Sequence, residues 1–309
     1  MTKNWFKNSG PGTLVAAAFI GPGTVTLCTL AGVNFGFNLL WAMVLSIVAT
    51  IVLQEMASRL GIISQKGLSE VIRAEIKHPI INKLILLLIL SAIVVGNASY
   101  EAGNISGGIL GLETITGELR IALGNYSLNI LSFVVGIIAF ILLYIGNYKF
   151  LERVLVMLVV IMSISFLITA FLTKPAISDI LKGAITPSFP EGSLLTILGL
   201  VGTTVVPYNL FLHASLVKEK WNNPKDLKAV RKDTIISIAL GGLVSMAIII
   251  SASSIGLGEI SSAADLAKSL APLYGDFASY FLGIGLFAAG ITSAITAPLA
   301  AAYVARGCF

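Results

Sequence analysis

The chain has 309 residues, 56% of them hydrophobic and 11% charged, with a formal net charge of +5 and a mean hydropathy of +0.94. A soluble domain carries about 25% charged residues, so the composition excludes an ordinary water-soluble fold and points to an all-α chain that crosses a membrane repeatedly. Cys28 and Cys308 make neither a disulfide framework nor a metal-site spacing, and no P-loop, nucleophile–base set, His/Cys cluster or aromatic–basic patch is found, which leaves no soluble-enzyme or nucleic-acid-binding reading and asks for no cofactor.

A span needs about 20 mostly apolar residues. Eight such stretches occur, at 12–32, 38–60, 84–112, 127–146, 150–172, 193–217, 234–256 and 277–304. The apolar run after Lys3 and Lys7 continues too far for a signal peptide and reads as a retained first helix. If odd-numbered spans run from inside to outside, inner loops hold sixteen Lys and Arg residues and outer loops hold four: Arg120, Lys174, Lys182 and Lys268. That bias places the N-terminus in the cytoplasm, in a membrane of bacterial plasma-membrane type. The inner segment 67–77 reads as a short surface helix with Glu70, Arg73, Glu75 and Lys77 solvated. The run from Lys218 to Lys232 reads as a basic cytoplasmic loop, with contact to anionic lipid as the other reading.

Two spans contain breaks. In the first, Gly21-Pro22-Gly23-Thr24 cannot form a clean helical turn, since proline lacks an N–H and displaces the carbonyl one turn back. Carbonyls at Phe19, Ile20 and Gly21 are expected to lose helical partners. In the sixth span, Thr203-Thr204-Val205-Val206-Pro207-Tyr208-Asn209 repeats the interruption. Unpaired backbone at membrane depth must be buried in protein or line a watery cavity. Ordinary proline kinks are the alternative, but interruptions in corresponding places point to a transporter substrate site. The breaks lie five spans apart in helices entering from opposite sides, the pattern of two inverted five-helix repeats: residues 1–172 as the first, 173–309 as an incomplete second. A full second repeat would need two more spans.

Several stretches carry a family resemblance. Gly10-Pro11-Gly12, Leu39-Leu40-Trp41, Gln54 to Gly61 (QEMASRLG), Gly146 to Arg153 (GNYKFLER), Pro187 to Pro190 with Gly192 to Ser215, and Gly285 to Ala300 fall in order at family-like spacing. The chain resembles the Nramp divalent-metal transporters, which implies a LeuT-type inverted-repeat fold with broken helices 1 and 6, alternating access, and a divalent cation as cargo.

At the substrate site the resemblance fails. The family carries Asp-Pro-Gly-Asn in helix one, where this chain has Gly21, Pro22, Gly23 and Thr24. It carries Ala-x-x-Met-Pro-His-Asn in helix six, where this chain has Thr203 through Asn209, with Val206 for the methionine and Tyr208 for the histidine. The anionic oxygen and the soft sulfur that favour transition metals are both gone. What remains around Gly21, Gly23, Thr24, Thr203, Val206, Tyr208 and Asn209 is neutral and oxygen-bearing, with Gly21, Thr24 and Thr203 as the metal-facing positions. Mg2+ dehydrates reluctantly, so hydrated Mg2+ is expected ahead of Mn2+ and Fe2+. The alternative is a small organic anion or amino acid, which the N-termini of half-helices attract.

Three further residues stand out. Glu101, in the polar stretch Ala98 to Gly108, is an intramembrane acid; it matches the family's helix-three glutamate on its proton route, with an interhelical hydrogen bond as the other reading. His213 matches a family histidine and reads either as a proton carrier or as a packed ring. Glu55 and Arg59 are spaced for an intrahelical pair, with an inner gate as the functional alternative. Asn97, Asn104 and Gln54 are candidates for interhelical hydrogen bonds.

Overall fold

The computed structural model describes residues 11–12, 15, 20–123, 126–145, 149–255 and 263–309. The expectations at Lys3, Lys7, Gly10, Phe19, Gly146 and Gly256 lie outside them. Helix α1 covers Pro22–Phe35, α2 Leu40–Ser64, α3 Leu68–Glu75, α4 Pro79–Thr116, α5 Ile130–Ile145, α6 Lys149–Leu172, α7 Ile177–Ile185, α8 Leu194–Thr204, α9 Pro207–Lys220, α10 Leu227–Ile255 and α11 Ala278–Cys308. Among the described residues, five helical stretches are long and apolar enough to cross a membrane; α5 is a shorter apolar helix, and α6 and α7 meet at a sharp bend of 119°.

Local chemistry sets the boundaries. Gly36 turns the chain between α1 and α2 with φ of 59°, and Gly117 ends α4 with φ of 74°, a region that glycine enters without a Cβ clash. Proline opens α1, α4 and α9, where its missing N–H costs nothing. The fourth span was expected from residue 127. Instead Arg120–Leu123 (β1) and Tyr126–Asn129 (β2) form an antiparallel hairpin with Arg120 opposite Asn129. The helix starts only at Ile130, because Asn129 Oδ1 accepts the Leu131 N–H at 3.0 Å and so caps it. The basic run 218–232 is also mostly helical. It splits between the end of α9 and the start of α10, joined by a short turn at Pro224–Asp226.

Outer faces of α2 and α4 expose Leu45, Val48, Val52, Leu88 and Val95, the inverse of a soluble surface and suited to lipid. Inside, small residues let backbones meet. A Cβ on Gly107 would collide with Pro22, and one on Gly290 would stand 2.7 Å from Gly108 Cα. Thus α4 is pressed against both the first break and α11. Cys28 is buried and free, a packing residue.

Candidate substrate site at the two helix breaks

Both expected breaks are present. Helix α1 begins at Pro22, with Gly21 extended at φ −86° and ψ 176°. Helix α8 stops at Thr204, Val205 and Val206 leave helical geometry, and α9 restarts at Pro207. The breaks face each other: a Cβ on Gly23 would lie 4.0 Å from the Thr203 methyl. Gly23 and Pro207 are exposed, whereas Thr24, Val206, Tyr208 and Asn209 are buried.

The carbonyls divide differently from expectation. Gly21 O is not loose, because it accepts the Val25 N–H at 3.2 Å and starts α1. In the second break, Val201 O accepts from Val205 N at 2.8 Å, and Gly202 O, whose helical donor would be Val206, accepts instead from the Tyr100 hydroxyl at 3.1 Å. Tyr100 also stands edge-on to Tyr208, ring centroids 5.4 Å apart. Thus α4 closes one orphaned carbonyl of the break. Thr203 and Thr204 hydroxyls donate back to Leu200 O at 3.2 and 2.8 Å.

Asn209 is 1% exposed, yet neither its Oδ1 nor its Nδ2 has a partner among the described residues. Leaving a buried polar group unmatched costs about 1–3 kcal/mol, which makes this amide a candidate position for a ligand or water. Glu101 Oε2 and Asn104 Nδ2 are likewise buried and unpartnered. The Asn104 side chain lies beside Glu101 on the same helix, and among the described residues neither of these two atoms reaches a neighbouring helix. Glu101 sits within electrostatic reach of Tyr208.

His213 is fully buried, with Nδ1 2.9 Å from Gln54 Oε1 on α2 and Nε2 unpartnered. Asn97 donates to Ala297 O at 2.6 Å and joins α4 to α11, so Gln54 and Asn97 both bridge helices as expected. Glu55 pairs with Arg59 at 3.7 Å and, more closely, with Arg231 on α10 at 2.6 Å; its main bond is therefore between helices. Glu70 is not simply solvated: Lys218 Nζ lies 2.6 Å from its Oε1. Sequence reasoning missed the bonds made by Tyr100 and Arg231. Tyr100 lay inside the polar stretch already singled out, but its target carbonyl becomes free only through the distant break.

No group of three or more His, Cys, Asp or Glu side chains suited to holding a metal occurs among the described residues. The Gly21, Thr24 and Thr203 positions supply neutral oxygen only, and Val206 supplies none.

Broken helices in inverted order, an apolar exterior and unmatched polar groups at the breaks define a multi-pass integral membrane transporter of the LeuT type. The model of the natural resistance-associated macrophage protein-like family, Nramp, matches residues 12–309. The chain belongs to that family, whose members are transporters and not enzymes. It is similar to the divalent metal cation transporter MntH of Verminephrobacter eiseniae, at 27% identity over 97% of this chain and 68% of that protein. It is also similar to a metal transporter nramp1 homolog of Dictyostelium discoideum, at 29% identity over 97% of this chain and 56% of that protein. Among solved structures, a manganese transporter of Eremococcus coleocola superposes with a TM-score of 0.74 at 21% identity, over all of this chain and 67% of that one. The chain thus spans about two thirds of the length of the MntH relative and of the solved transporter.

Proposed function

We propose that the chain carries divalent metal cations across a membrane by alternating access, holding them at the two breaks through their waters, with Mg2+ ahead of Mn2+ and Fe2+. The observation behind the Mg2+ preference is the chemistry of four positions. Gly21 and Thr24 replace a carboxylate and an amide, Val206 replaces a thioether and Tyr208 an imidazole. A site of neutral oxygens cannot strip a small hard cation of its water, but it can accept hydrogen bonds from that water. Manganese is the cargo printed for the Eremococcus relative, so the Mg2+ preference rests on this chain's own side chains. Family membership does not favour the organic-anion or amino-acid alternative.

On this reading, residues 1–172 and 173–309 are the two repeats, the N-terminus is cytoplasmic in a bacterial-type plasma membrane, and the elements of spans one, two, six and seven rock against the rest. Glu55, with Arg59 and Arg231, forms an inner latch that must part when the inner side opens. Glu101 and His213 are the groups available for proton movement.

The test replaces Thr24 and Thr203 by valine, which keeps shape and removes the hydroxyls. Each loss should raise the KM for Mg2+ uptake into proteoliposomes by about tenfold, the worth of one hydrogen bond to a charged partner. Unchanged uptake in both variants would remove the breaks as the cation site.

A further inference from the structure

Helix α2 carries one lipid-facing stripe. Leu45, Val48, Val52, Met56 and Ile63 are each more than half exposed and follow one another mostly at three- and four-residue steps, so they share a face. Arg59 falls on that stripe between Met56 and Ile63, with its side chain 43% exposed. It stands five residues before Ser64, the end of α2, roughly 7.5 Å inside that end at a rise of about 1.5 Å per residue. A cation on an apolar face near a helix end reaches for the membrane boundary, where water or an anionic group can meet it.

The same residue lines a groove. A cleft of about 620 Å3, open along one side, is walled by Leu53, Met56 and Leu60 of α2, Leu68 and Val71 of α3 and Leu210 of α9, with Arg59 as the cation among its lining residues. Ser64 also borders it, but its hydroxyl already donates to Leu60 O at 2.7 Å. Charge is not balanced here. Arg231 takes Glu55 at 2.6 Å, and Arg59 stands 3.7 Å from the same carboxylate, too far for a hydrogen bond. One carboxylate therefore serves two guanidinium groups. Glu70 on α3 is taken by Lys218 at 2.6 Å. One positive charge is left over, and Arg59 holds it at the groove with its N–H donors to spare.

We propose that this groove binds one anionic phospholipid, with an acyl chain along Leu53, Met56, Leu60 and Leu210 and the phosphate on the Arg59 guanidinium. Guanidinium and phosphate match in charge and in paired hydrogen-bond geometry. A soluble phosphate has no use for the apolar walls, and an uncharged chain has none for the cation. Met56 and Ile63 belong both to the stripe and to the groove, so the ligand enters sideways from the bilayer. With α2 ending on the cytoplasmic side, as proposed above, it is a lipid of the inner leaflet, where acidic headgroups gather. The bound lipid ties α3 to α2 and α9, and its phosphate competes with Glu55 for Arg59.

The experiment titrates the full chain, purified in detergent, with phosphatidylglycerol, phosphatidylethanolamine and phosphatidylcholine of the same acyl chains. Native mass spectrometry reads lipid occupancy and oligomeric state together, without any cation transport, so failure here leaves the site at the breaks untouched. The unmodified protein should hold one phosphatidylglycerol about tenfold more tightly than either zwitterionic lipid. Arg59→Gln should abolish that preference, and Arg59→Lys, which keeps a point charge, should retain most of it. Ile63→Trp, at an exposed position that narrows the groove, should weaken all three lipids and keeps the test open if the arginine variants do not assemble. Glycerol phosphate, an anion without chains, should not compete. The same phosphatidylglycerol preference in Arg59→Gln as in the unmodified protein would overturn the proposal. Competition by glycerol phosphate that Ile63→Trp leaves unchanged would make this a soluble-anion site and overturn it as well. A dimer without bound lipid would assign the groove to a second copy of the chain, with the same consequence.

Discussion

Val206 sits 4% exposed at the second break, where the family pattern has a thioether. Its side chain can only exclude water, so on the proposed reading selectivity passes to the hydroxyls, the Asn209 amide and the ion's own shell. Gly21 has φ of −86°, an extended geometry open to any residue, so a carboxylate can be placed there without backbone strain. Gly21→Asp combined with Thr24→Asn and Val206→Met is expected to create Mn2+ uptake and to tighten Mn2+ binding at least about tenfold, read by calorimetry and transport. No gain in Mn2+ binding would mean that other parts of the site reject the ion. At this scale the sequence told where the breaks are, because proline and glycine act locally. It did not tell what completes them. The Tyr100 bond to Gly202 O and the second partner of Glu55 join residues 102 and 176 positions apart, and local chemistry carries no trace of either.

Between elements, backbone proximity and two ion pairs fix the arrangement. At the α4–α11 crossing a Cβ on Gly290 would stand 2.7 Å from Gly108 Cα and 2.8 Å from Asn104 O. Gly290→Ala should therefore destabilise the protein by about 1–3 kcal/mol in thermal unfolding in detergent. Gly136→Ala on α5, where a Cβ meets nothing within 4 Å, should be stabilising by up to about 1 kcal/mol. Equal effects would contradict the crossing. The surface helix α3 is held to α9 by Glu70 and Lys218. Burial pushes the Glu70 carboxyl up, but the Lys218 ammonium and the Gly67 N–H outweigh it and hold the group below its ordinary value. A lowered carboxylate pKa contributes stability above the unfolded-state value and loses it as pH falls through the folded one. The stability gap between the unmodified protein and Lys218→Gln should be open at neutral pH and close on acidification. A gap independent of pH would show that the pair does not tie α3 down.

For the whole molecule, hydropathy put apolar helix at the expected stretches in order, and five helical stretches among the described residues are long and apolar enough to cross a membrane, since lipid imposes length and apolarity on each. Where polar chemistry intervenes, the reading slipped: the hairpin before α5 and the helical extension of the basic run answer to a cap and to tertiary contact. The inverted order of the two breaks was legible because it needs only span counting. The ionic species was not, because it depends on side chains that depart from the family at every position that would name it. The most direct test reconstitutes the protein in liposomes carrying a magnesium-sensitive dye, adds Mg2+ and then Mn2+, and follows internal pH in parallel. Saturable Mg2+ entry, with Mn2+ carried less well, is the predicted result. No entry of either cation, with saturable uptake of an amino acid or organic anion instead, would contradict the account.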